Sequence, residues 1–424
     1  MSTPFPSDET AKEAPASVSK PIKSAENASL VNSSDALSFP EGGFTAWGTV
    51  VGTYTNAYGV FQGKHTYGTL EGDFYTRTYL TNSTPSAIAW IGSVNALLVL
   101  SVGVVSGRMV DRGAFYPVMK IGCLLQCLFL FLLSLAKPDG YYQASLLSIF
   151  LSQGVGFGIA IGLTNVPSIA IVSHHFQRCR AIAMGIVVAG SSLGAILHPI
   201  ILNNLINRRL GFANGVRASA TLNSGLLLIA NLLMRTRIPP QPNAVSYTRV
   251  LQNSSRDGAY ICGCVALAAF NFGYFFEVFY LQLDSTLHGL SREFSFYSLT
   301  ILSSGSFIGR LAVGVVSTYV GIPNTVVGSS FISSAVLFAM IGLHSAASVA
   351  VIAASYGFFS GGVIALMGPL VSYLTPENSH IGARMGIMFA VAGIGSLVGM
   401  CTDLWGFPDV ALHLVEGCCL CWGE

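Results

Sequence analysis

Charge is what this sequence has least of. Only 9% of its 424 residues are Asp, Glu, Lys or Arg, against about a quarter in an ordinary soluble domain, and that excludes a soluble globular fold. The few charges nearly balance, at +2 overall, so there is no basic field of the kind nucleic-acid binding needs, and nucleic acid drops out as a partner. Paired cysteines are lacking as well. Nine are scattered along the chain, and Cys123, Cys127, Cys262 and Cys264 sit inside apolar runs without the spacing of a zinc site or a disulfide framework. Packing is their expected role. No HExxH motif and no other catalytic constellation is read from the chain, so no enzyme activity, cofactor or metal site is expected. The adjacent His174 and His175 do not make a metal pair, because neighbours on a helix point about 100° apart; a solvated cap is the expectation.

The first 40 residues lack any apolar core segment. They are rich in Ser, Ala, Pro and charge, so residues 1–40 read as a disordered tail, and the missing h-region excludes a signal peptide.

What is abundant is apolar sequence, 52% of the chain. From Phe44 onward long apolar runs alternate with short polar punctuation. A membrane span needs about 20 mostly apolar residues. Eleven such runs are expected near 44–63, 86–106, 115–136, 141–166, 181–203, 211–234, 258–283, 294–316, 323–343, 347–371 and 384–401. The fold class is therefore an all-α polytopic membrane protein with a lipid bilayer as its surroundings. The long polar interruption 235–257 separates an N-terminal half, 41–234, from a C-terminal half, 258–401. Glycines recur between the halves: Gly107 with Gly314, and Gly190/Gly194 with Gly395/Gly399. Such recurrence is expected of two parallel repeats of six spans, the build of one large transporter class.

The segment 402–424 breaks this pattern. Its best apolar window, Val410 to Trp422, is short and contains His413 and Glu416, so the twelfth span is read as missing or altered. Loops on the side of the N-terminal tail, with the tail itself, carry 13 Lys and Arg against 7 on the other side. The positive-inside rule then makes the tail and the central loop cytosolic, and the sequon at Asn82 lies outside as an expected glycosylation site.

Against this background SGRMVDRG, Ser106 to Gly113, is unusual for packing Arg108, Asp111 and Arg112 into one short turn after the second run. Gly107 would allow a tight backbone turn, and Asp111 would accept from backbone N–H groups or pair with an arginine. Such a loop would latch one face of the protein shut. The GxxxDR pattern in this position resembles the signature loop of the major facilitator superfamily. PEGGFTAW (40–47), TPSAIAWIGS (84–93), VPSIAIVSHHFQRCRAIAMGI (166–186) and AGSSLGAILHP (189–199) further resemble the fungal branch of the monocarboxylate transporter family. That resemblance implies a secondary transporter working by alternating access. It would carry small organic acids, or in fungal relatives varied metabolites including pathway products, with protons as a possible coupling ion.

Arg310 lies in the middle of the eighth run, where a charge is costly and usually functional. A guanidinium there would take a carboxylate through two parallel hydrogen bonds, and the resemblance gives a span-eight arginine that role. The other reading pairs Arg310 with Glu277 of the seventh run, to stabilise the bundle. Glu277 itself is either that partner or a proton-carrying carboxylate. Lys64 falls about where animal relatives carry a functional lysine, and Asn95, Gln153, Asn165 and Asn271 offer hydrogen bonds to a solute or to neighbouring helices. Two positions depart from the family. Ser306 stands where animal members have an aspartate, and Thr318 stands in the second copy of the loop where Asp111 stands in the first. A non-transporting sensor or adaptor of the same fold, or a defective transporter, is the alternative function.

Overall fold

A computed structural model describes residues 42–70, 85–136, 142–205, 211–237, 247–287, 290–339, 345–375 and 381–404. The tail 1–40, the sequon at Asn82 and the segment from 405 onward lie outside these residues.

Among the described residues there are helices and turns but no strand. The first helices are α1 (Phe44–Leu70), α2 (Pro85–Ser101), α3 (Gly103–Asp111) and α4 (Phe115–Leu133). Then come α5 (Tyr142–Ile149), a π-helical turn over Phe150–Gly156, α6 (Phe157–Ala170), α7 (Arg180–Leu205) and α8 (Gly211–Leu233). After the short α9 (Tyr247–Arg256) follow α10 (Gly258–Leu287), α11 (Arg292–Val320), α12 (Ile322–Phe338), α13 (Ala346–Tyr373) and α14 (Ile381–Leu404). Eight of the helical stretches are long and apolar enough to cross a membrane, and Gly258–Tyr274 and Ile322–Phe338 are shorter apolar helices. The polar interruption is not all loop. Val250 and Ser254 lie one turn apart on α9 and both are buried, because α9 rests on α10 and α14.

Burial is inverted relative to a soluble protein. Leu124, Val327 and Phe331 are about three-quarters exposed, while Asn56, His198 and Asn223 are fully buried. That distribution suits a lipid solvent, with apolar side chains turned outward and polar ones inward, although the side-chain amides of Asn56 and Asn223 make no hydrogen bond among the described residues. His198 is hydrogen-bonded to Ser219 of α8 at 2.8 Å.

Helix pairs approach closely at small residues. Gly190 and Gly194 of α7 lie against the carbonyls of Tyr54 and Tyr58 in α1, and Gly395 and Gly399 of α14 lie against those of Ala268 and Phe272 in α10. The recurrent glycine pairs thus perform the same packing task in both parts of the chain. Gly190 to Gly194 also has the GxSxG spacing of a hydrolase nucleophile elbow. Here those residues run through the interior of α7, without the strand-to-helix turn that such chemistry needs.

Gly107 does not make a turn. It sits inside α3, pressed against Gly382 of α14, and the chain reverses at Gly113 instead. Gly113 has φ +84°, its N–H bonds Val110 O at 2.8 Å, and the N–H of Ala114 bonds Met109 O at 2.9 Å. This is a Schellman closure of the helix, which favours glycine at the left-handed position. His175, expected as a solvated cap, is 2% exposed and donates from Nε2 to the carbonyl of Arg235 at 2.8 Å, tying the end of α6 to the end of α8.

Candidate functional site

The helices before α9 meet those after it mainly through α7 with α11, and through α14 with α2 and α3. Between them lies a cavity of about 70 Å³. Every wall comes from a different helix: Ala57 of α1, Val99 and Leu100 of α2, Asn165 and Ser168 of α6, Ser191 of α7, Asn271 and Tyr274 of α10, Met367 of α13 and Phe389 of α14. Most of the lining is apolar, with a few hydrogen-bonding groups, which is the usual make-up of a small-molecule site. Its volume holds only a few waters.

Arg310 borders this cavity from behind α7. It is 2% exposed, and its Nη1 donates to Val188 O at 2.7 Å and to the hydroxyl of Ser191. Both acceptors belong to residues that line the cavity. One turn earlier, Ser306 is within hydrogen-bond distance of Ser192 at 3.2 Å, so α11 and α7 are joined by two polar contacts in succession. Asn95 is placed elsewhere. Its amide donates to Gln153 O at 2.8 Å, in the π-helical turn, and ties α2 to the segment before α6. Asn165 and Asn271, by contrast, line the cavity, and Asn271 also donates to Leu267 O at 2.8 Å. Lys64 and Glu277 fall within α1 and α10, and their side chains lie outside the described set.

The segment that ends at Asp111 forms the second part of the site. Asp111, at the end of α3, accepts N–H bonds from Gly382 at 3.0 Å and Ala383 at 2.7 Å. Its carboxylate therefore fills the open first turn of α14, where a helix exposes unpaired N–H groups and partial positive charge. Of the two partners open to Asp111 in the sequence, the backbone is the one it takes. The contact requires α3 and α14 to touch, and they do so at Gly107 and Gly382, where a methyl group on Gly107 would overlap the Gly382 carbonyl. Arg108 is partly exposed and Arg112 exposed.

Sequence reasoning missed a neighbouring charge cluster. Arg384 bonds Asp257 through Nη2 at 2.5 Å and Leu374 O through Nη1 at 2.9 Å. Its guanidinium carbon lies 4.3 Å from the centre of the Tyr260 ring, and Tyr260 donates its hydroxyl proton to Arg384 O at 2.6 Å. The two charged partners are 127 residues apart, so no local pattern could have paired them. Among the described residues no cluster of His, Cys, Asp or Glu is suited to a metal.

The family model of the Major Facilitator Superfamily matches residues 44–400. The chain belongs to that superfamily. This facilitator is 33% identical to an aspyridones efflux protein of Emericella nidulans over 371 residues, covering 85% of this chain and 72% of that one. It is also 33% identical to an MFS-type transporter of an Ophiocordyceps species, over 88% of this chain and 81% of that one, and 31% identical to an agnestins efflux protein of Paecilomyces divaricatus, over 82% and 75%. The crystal structure of the Escherichia coli fucose:proton symporter shares the fold, with a TM-score of 0.65 at 14% identity, covering 86% of this chain and 92% of that one. The facilitator is thus a multi-pass membrane transporter by family and fold, and not an enzyme.

Proposed function

We propose that this facilitator is a secondary transporter that exports a mainly apolar metabolite bearing a carboxylate or similar acidic group, by alternating access between two six-span halves. The observation that carries the reading is the cavity whose wall is contributed by helices from both sides of α9, since a site shared by two moving bodies is what alternating access requires. Apolar lining favours an apolar solute. Two of its relatives are named as efflux proteins, one for aspyridones and one for agnestins, and this favours export over the uptake of simple monocarboxylates that the monocarboxylate branch would imply.

In this reading Arg310 supplies the charge. The Ser191 hydroxyl it holds occupies the place of a substrate oxygen, and a carboxylate entering the expanded cavity displaces it and takes the planar fork in bidentate fashion. Glu277 follows Tyr274 by one helical turn and serves as the carrier of a coupling proton, while Asn95 holds α2 in place. The N-terminal tail, the latch and α9 face the cytosol, the membrane is the plasma membrane, and Asn82 is outside.

The test is flux. Inside-out vesicles carrying the protein should accumulate an acidic, apolar secondary metabolite when a proton gradient is imposed, and Asp111→Asn vesicles should accumulate it more slowly. Uptake equal to that of empty vesicles across such a substrate panel, with the protein folded and present, would overturn the assignment.

A further inference from the structure

At the end of the bundle that carries Asp111, two helix crossings join the parts of the chain before and after α9. In one, α3 meets α14 at Gly107 and Gly382, and Asp111, four residues beyond Gly107, fills the first turn of α14. In the other, α11 meets α7 at Gly314, which lies against Ala181 and Gly185. Four residues beyond Gly314 stands Thr318. Its hydroxyl turns back to Val315 O at 2.7 Å, and the side chain is exposed. Where the first crossing is filled by a carboxylate, the second leaves a pocket of about 310 Å³.

The lining of that pocket is one-sided in charge. Arg178 lies just before α7 and Arg180 at its start, Ser317 and Thr318 come from the end of α11, and Tyr373 from the end of α13. Two guanidinium groups in one lining suit a phosphoryl group, which takes several N–H donors at once; Arg180 also donates from Nε to Phe176 O at 3.2 Å, and the Ser317 and Thr318 hydroxyls donate to Gly314 O and Val315 O. The size suits a phosphate ester and is far too large for a bare carboxylate. The outer rim is apolar and aromatic: Tyr319 is 86% exposed, Tyr373 64% and Val320 53%. Exposed tyrosines next to arginines mark the depth of lipid headgroups.

We propose that this pocket binds a terminal phosphate group, supplied by a lipid headgroup or by soluble phosphate, and that the bound anion does at the α7–α11 crossing what Asp111 does at the α3–α14 crossing. It bridges α7 to α11 and holds this end of the bundle closed. Occupancy by phosphate then regulates exchange between the two access states. The regulatory part rests on the alternating-access reading above; the binding part does not.

Binding to the purified full-length protein is therefore measured without transport, as a shift in thermal midpoint. One arm adds inorganic phosphate to protein in phosphatidylcholine nanodiscs; the other adds a phosphoinositide to the nanodiscs in place of free phosphate. A rise in midpoint in either arm, with an apparent affinity at least roughly tenfold weaker in the Arg178→Gln/Arg180→Gln double variant, is the expected result, and the responding arm identifies the source. Thr318→Asp is the second variant. It places an acid where Asp111 has its own, so the variant should keep a midpoint at or above that of the parent and lose the phosphate response. No response in either arm, or an undiminished response in a folded double variant or in Thr318→Asp, overturns the proposal. A failure of transport with the binding intact would instead count against the substrate reading alone.

Discussion

The carboxylate of Asp111 accepts the backbone N–H of Gly382 at 3.0 Å across 271 residues of sequence. A charge that caps an adjacent helix contributed by the other half of the chain should hold it only while this end is closed. Asp111→Asn keeps the size and removes the charge, which near a helix N-terminus contributes about 0.3–2 kcal/mol. The closed state should lose between about twofold and thirtyfold in population relative to the open one. Alkylation of a cysteine introduced at Ser168 in the cavity wall, applied from the Asp111 end, should accelerate by that factor, with substrate binding retained. An unchanged rate would remove the latch role.

Gly107 and Gly225 should respond in opposite ways to the same substitution. A methyl group on Gly107 meets the Gly382 carbonyl, a backbone atom that cannot rotate away, whereas nothing lies within 4 Å of one on Gly225. Gly107→Ala should separate α3 from α14, with a loss of about 1–3 kcal/mol seen as a lower thermal midpoint. Gly225→Ala should be neutral or gain up to about 1 kcal/mol from helix propensity.

Arg310→Lys keeps a positive charge and loses the planar fork. If a substrate carboxylate takes that fork, apparent affinity for an acidic substrate should fall by roughly tenfold or more, about 1.4 kcal/mol, at near-normal protein abundance. Arg310→Ala should cost about 3–5 kcal/mol if the arginine serves mainly to neutralise Glu277, and Glu277→Gln made with it should then restore both abundance and transport. Full transport in that double variant would exclude the clamp; abundance without transport of the acid would support it.

Asp257 gives a pH dependence with a definite sign. The hydrogen bond from Arg384 holds its carboxyl below the usual carboxylate range. A depressed folded-state value means that the stabilisation is complete above the unfolded value, near 3.9, and is lost as pH falls through the folded one. Because the Asp257 side chain is 32% exposed, the contribution is at most about 1 kcal/mol. The thermal midpoint of Asp257→Asn should lie slightly below that of the parent at neutral pH, and the gap should close below about pH 4.

Orientation is checked by sugar. The charge count places Asn82 outside and the Asn253 sequon, on α9, inside. Expressed in a glycosylating host, the protein should lose mass on deglycosylation, and Asn82→Gln should abolish that loss. Sugar at Asn253 would reverse the topology.

The candidate site was only partly legible. Arg310 stood out because a lone guanidinium in an apolar run is costly wherever it points, and Asp111 because it interrupts apolar sequence next to two arginines. Ser191 and Tyr274 carried no such signal, since a serine or tyrosine in a span is ordinary and acquires a role only from the cavity it lines. Asn95 looked equivalent to Asn165 and Asn271, but the rotation of each helix sends the first to a backbone carbonyl and the others to the cavity wall.

By itself the sequence determined the solvent and the class of this protein. Scarcity of charge and runs of about 20 apolar residues are sums over composition and local order, and runs of that length cross a bilayer as helices, which satisfy their backbone hydrogen bonds within each segment. Tertiary structure alone decided the partners. Whether Asp111 would meet an arginine or a helix terminus, whether Gly107 would bend the chain or let two helices touch, and that Arg384 would find Asp257 all depend on which helices end side by side. That adjacency is set by the packing of the whole bundle, and it leaves no trace in the spacing of neighbouring residues.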